Sequence, residues 1–137
     1  MVKNVVAGFA GIIIAGLLVW LVEMLGHTVY PPPTDINFAD ADTMRAYIDT
    51  LPIGALLFVA AAWFVGTLGG TIAACKIGDA KPMTYAIVVG GLMLVATAAN
   101  LIAIPHPLWF SVLGVAGIIV AAWLGTTLGS TAAGETE

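Results

Sequence analysis

Charge is what this sequence lacks most. Its 137 residues include four Lys or Arg and eight Asp or Glu, a formal net charge of −4 at pH 7. No basic patch forms anywhere along the chain, which excludes nucleic-acid binding. Cysteine is almost absent. Cys75 alone rules out an intrachain disulfide, and without a CxxC pair a thiol relay has no second sulfur. It reads as a small packing residue near a helix end. There is no HExxH and no second acidic cluster, so metal-hydrolase motifs are missing. Alternating strands of roughly 10 residues are missing too, which excludes a transmembrane β-barrel.

What is present is apolar. Hydrophobic residues make up 61% of the chain, charged ones 9%, and the mean hydropathy is +1.06. Four stretches approach or exceed the ~20 residues that cross a bilayer as a helix. A soluble domain of this size cannot hide so much apolar surface. The first stretch, MVKNVVAGFAGIIIAGLLVWLVEML, is longer than the apolar core of a signal peptide, and no clean small-x-small cleavage site follows it. It reads as a transmembrane helix.

Proline and glycine set the boundaries. The sequence predicts one domain over 1–137, with membrane helices at about 4–30, 52–75, 83–104 and 108–130. Pro31, Pro32 and Pro33 stop the first, Pro52 starts the second, Gly78 and Pro82 bracket the next turn, and Pro105 and Pro107 stop the third. Lys3, Lys76 and Lys81 fall at one end and Arg45 at the other. The positive-inside rule then puts both termini in the cytoplasm and the 31–51 loop outside. A bacterial inner membrane is expected from the small size.

Within the outer loop, Met44, Tyr47, Ile48 and Leu51 share one face of a short helix, with Arg45 and Asp49 on the other. Asp40 or Asp42 suits its cap. Such a helix lies on the bundle mouth or the headgroups, or acts as a lid over an outer site.

Residues 59–74, VAAAWFVGTLGGTIAA, align without a gap to residues 119–134, IVAAWLGTTLGSTAAG. The match pairs Trp63 with Trp123, Thr67 with Thr127 and Thr71 with Thr131. It predicts an internal repeat of two tandem helical hairpins in the same orientation. Inverted repeats are the usual mark of alternating access, and these are parallel. Helix 2 carries Ala62, Gly66, Gly70 and Ala74 at four-residue spacing, and helix 4 carries Gly117, Ala121, Gly125 and Gly129. Small residues let helices approach closely in lipid. Two such faces predict one contact inside the chain and one offered to a second copy, hence a homo-oligomer. Trp63 and Trp123, near mid-helix, are expected to pack in the core, Trp109 to sit at the interface, and the threonines to bond back to their own helices.

One polar constellation remains. Counting back from Tyr30 at 1.5 Å per residue sets Glu23 about 10 Å below the outer helix end, where a carboxylate is expensive and needs a partner. His27 is one turn further out. Gly16, Trp20, Glu23, His27 and Tyr30 form one stripe, expected to face inward. Asn100 and His106 belong to the same end. Three readings follow. Glu23 and His27 form a structural hydrogen-bonded pair; or Glu23 binds a proton or cation in a transport path, aided by a histidine that titrates near neutrality; or Glu23, His27 and His106 hold a metal. Glu-x-x-x-His has ligand spacing on a helix, but two ligands are not a site. No cofactor is firmly implied.

The sequence thus predicts an all-α, four-helix transmembrane bundle in a lipid bilayer. Its expected role is a small transport or channel-like protein, or an accessory subunit of one. The alternative is a structural or assembly protein with no solute path, and a third reading is a membrane enzyme using Glu23 and His27.

Overall fold

A computed structural model describes residues 1–131, all-helical with no strand among them. Helix α1 is Val2–Val29, α2 is Ala41–Thr50 and α3 is Ile53–Ile77. The third long helix, Pro82–Ala103, is composite. It runs as α4 (Pro82–Tyr85), a π-helical segment (Ala86–Gly90) and α5 (Gly91–Ala103). Helix α6 is Leu108–Thr131. Four helices are long and apolar enough to cross a membrane, which makes this an integral membrane protein by the length and composition of its spans. The expected repeat positions 132–134, and the tail to residue 137, lie outside the described residues.

Prolines act where the sequence places them. Pro52 caps α3 with φ −65°, and Pro82 opens the third long helix at its first position. Asp40 caps α2 by accepting from the Thr43 N–H at 2.9 Å. Tyr30 ends α1, its N–H donating to the Gly26 carbonyl at 2.8 Å.

Small residues decide the packing. Helix α3 is central, with α1 on one side and α6 on the other, and the third long helix rests mainly on α6. A Cβ built at Gly66 would lie 2.5 Å from Val19 Cγ2 and 2.8 Å from the Ala15 carbonyl oxygen. One at Gly70 would lie 2.5 Å from the Gly11 oxygen. Ala62 and Ala74 are fully buried beside them. On the other side of α3, a Cβ at Gly125 would meet Thr71 at 2.6 Å, and one at Gly129 would meet Cys75 at 2.5 Å. Ala121 is buried, and Gly117 lies more loosely, 3.8 Å from Phe64 Cδ2. Both small-residue faces are therefore used inside one chain. The expectation that one would be left for a second copy is corrected.

Three further expectations change. The buried face of α1 is Ala7, Gly8, Gly11, Ala15 and Gly26, not the polar stripe. Gly16, Trp20 and His27 are exposed, because close approach to α3 selects the smallest side chains. Trp63 is buried, 5.3 Å from Phe110 between ring centroids, whereas Trp123 is 57% exposed. Helix α6 turns its glycines to α3, which puts its tryptophan outside. The Thr67 and Thr127 hydroxyls donate to carbonyls one turn back, at 2.7 and 2.8 Å. The Thr71 hydroxyl is buried with no partner among the described residues.

The lysine end is tied together. Lys3 pairs with Asp79 at 2.7 Å. Asn4 Oδ1 accepts from the Asp79 N–H at 2.8 Å and from the Tyr85 hydroxyl at 2.9 Å. Tyr85 is buried against Gly78. This places the N-terminus and the 78–81 turn at the same end of the bundle.

Candidate functional site

The opposite end holds a cavity of about 200 Å³. Helix α1 supplies Glu23, Gly26, His27 and Tyr30 to its wall. Leu51 leads into α3, which adds Ala55, Phe58 and Val59, one helical stripe. Asn100, near the end of α5, and the 104–106 turn close the far side. Tyr47 and Ile48 of α2 complete the lining. Ile48 is buried, Met44, Tyr47 and Leu51 are half-buried, and Arg45 and Asp49 are exposed. Contact between α2 and the long helices is otherwise sparse. The Phe38 ring packs edge-on to Tyr47 at 6.4 Å.

Each polar group of the cavity has its own surroundings. Glu23 is half-buried and accepts no hydrogen bond among the described residues, although His27 is one turn further along the same helix and lines the same cavity. His27 is exposed and makes no hydrogen bond there either. The structural-pair reading thus loses the bond it requires. Tyr30 stacks edge-on with Phe58 at 6.1 Å, and its hydroxyl crowds Gly54. Asn100 is half-buried, and its side-chain amide makes no hydrogen bond among the described residues. His106 is fixed more firmly. Its Nδ1 lies 2.7 Å from the Ile104 carbonyl oxygen, which makes Nδ1–H the donor. Its ring stacks on Phe110 at 4.8 Å and 18°. Burial pushes the His106 pKa below its ordinary value, partly opposed by the Ile104 hydrogen bond.

Trp20, expected at the same site, does not line this cavity. It lines a second one of about 300 Å³ with Gly16, Val19, Trp63, Met93, Ala96 and Thr97. Glu23 and Asn100 wall both. Among the described residues, no three His, Cys, Asp or Glu side chains gather closely enough to hold a metal ion. The proposed ligand set of Glu23, His27 and His106 is therefore not assembled.

Sequence reasoning missed Phe110, fully buried and touching the rings of Trp63, His106 and Trp109. It also missed Phe58 and Thr97. The spacing of Leu51, Ala55, Phe58 and Val59 was the available signal for the α3 wall.

No family model, curated protein or solved structure matches the chain.

Proposed function

We propose that this protein is a small membrane transport or channel-like protein, or an accessory subunit of one, in which Glu23 binds a proton or a cation at the outer end. One observation carries the reading. A half-buried carboxylate with no hydrogen-bond donor among the described residues opens onto a cavity, and Asn100, His106, Tyr30 and His27 share that cavity. A scaffold would pair such a group, because a lone carboxylate in a membrane helix costs free energy and stabilises nothing. In this reading α2 is an amphipathic lid whose apolar face covers the mouth. The two halves of the chain act as tandem hairpins, and the lysine-rich end faces the cytoplasm of a bacterial cell. Below the site, the Gly11–Gly70 contact closes α1 onto α3, so passage across the membrane requires a second conformation.

Proton or monovalent-cation flux in proteoliposomes tests this. Glu23→Gln keeps the shape and removes the charge, and it is expected to abolish flux while helicity is retained. Flux equal to wild type would sink the reading.

A further inference from the structure

Among the described residues no lysine or arginine pairs with Glu23, and His27 is the basic side chain that shares its cavity. Lys3, Lys76 and Lys81 lie at the other end, where Lys3 is paired with Asp79. Arg45 is exposed on α2 and lines neither cavity. The second cavity adds a different property. It is a groove between α1 and the third long helix, walled by Gly16, Val19, Trp20, Met93 and Ala96 beside Glu23. Gly16 and Trp20 are exposed, Trp20 by 60%, and at their depth in a membrane helix exposure means lipid. Nothing lies within 4 Å of a Cβ built at Gly16. The carboxylate thus faces an aqueous mouth on one side and an apolar, tryptophan-lined groove open sideways to the bilayer on the other.

We infer that the ligand of this site is an amphipathic organic cation, a quaternary ammonium carrying an apolar chain. It holds its charge at Glu23 and Asn100, lays its chain in the groove and enters from the lipid. The inference rests on the cation reading of Glu23 and names its substrate class. Three features fit. The carboxylate supplies the opposite charge that a desolvated ammonium needs. Tryptophan is the ring that best accepts a cation. The groove is apolar where a hydrated inorganic ion would require oxygen ligands.

The test compares tetramethylammonium with hexyltrimethylammonium, which share a head and differ in the chain. Binding is measured by equilibrium dialysis on the full-length protein in maltoside micelles, with empty micelles subtracted. The hexyl compound should bind at least about tenfold tighter, because its methylenes are buried. Glu23→Gln should weaken both ligands by about tenfold or more. Gly16→Leu fills the groove without meeting the core, and it should erase the preference for the chain. Circular dichroism and a single gel-filtration peak establish folding of each variant. If Glu23→Gln fails to fold, the preference and its loss in Gly16→Leu still decide the matter. Glu23-dependent binding of both ligands with equal affinity would overturn the amphiphile and leave the cation site standing. Binding that ignores Glu23 in a folded variant would overturn both.

Discussion

Thr71 buries a hydroxyl that bonds to nothing among the described residues, at the point where α3 meets Gly125 of α6. An unmade bond costs more than an absent group. Thr71→Val keeps the branched shape, so it should raise stability by about 1 kcal/mol, read as a higher melting temperature in micelles. A loss would mean that the hydroxyl has a partner. His106 gives a pH dependence whose sign can be worked out. Burial disfavours its protonated form, so the folded state binds its proton less readily than the unfolded chain does. That contribution is neutral above the ordinary histidine pKa of about 6.5 and turns against folding as pH falls below it. Hydrogen-exchange protection across 104–110 should drop in that window, and His106→Gln should flatten the drop. Glu23 and His27 share the cavity, so the difference between variant and wild type is the quantity to read. At this scale the sequence was partly legible. Counting depth from the proline stop put Glu23, His27 and Tyr30 at one end with Asn100 and His106, and those five do line one cavity. Trp20 joins Glu23 and Asn100 only in the second cavity, and its outward face was not legible, because the helix is apolar on every side and spacing alone does not tell the core face from the lipid face.

Among elements, α1 and α3 make the closest crossing. Its tightness comes from Gly11, Ala15, Gly66 and Gly70 meeting backbone to backbone. Gly70→Leu should cost about 1–3 kcal/mol by overpacking and should separate α1 from α3, seen as a lower melting temperature. Gly16→Leu, on α1, should cost little, because nothing lies near that Cβ. The small-residue spacing made this crossing legible on α3. The matching face of α1, Gly11 and Ala15, was not legible in the same way, because α1 also carries a polar stripe at helical spacing. In a membrane helix, close packing is bought with absent side chains, and a polar residue gives no guide to it. Helix α2 is held differently. The Asp40 cap accepts from both the Thr43 hydroxyl and its N–H, and these bonds hold the Asp40 carboxyl below the usual carboxylate range. The cap therefore serves at neutral pH and is lost as pH falls through that lowered value.

For the whole molecule, the two ends contrast. The lysine end is closed by an ion pair, an Asn4 bridge and a buried Tyr85. The other end holds the cavity and a lightly attached helix. The Lys3–Asp79 pair is exposed at both partners and contributes little stability; what it marks is which segments share an end. In the proposed orientation, with the lysine end inside, a membrane-impermeant maleimide added to intact cells should label Asp42→Cys and spare Asp79→Cys, both in a Cys75→Ala background. The reverse labelling would invert the orientation. Four spans were readable from apolar length alone. The environments of the repeated residues were not, since Trp63 and Trp123 match in sequence and differ in burial.

The π-helical segment at Ala86–Gly90 has a consequence for this contrast. A π turn holds one residue more than an α turn would. Every side chain beyond it is therefore advanced in phase by that one residue, about 100° around the axis. At this phase Asn100 shares two cavities with Glu23. Shortening the segment by one residue would leave the composition of the cavity end untouched and swing Asn100 and Thr97 off the cavities together. The lining of the two cavities is thus set by a surplus residue about 18 Å away along the helix, much as a cam is timed by where it is keyed to its shaft.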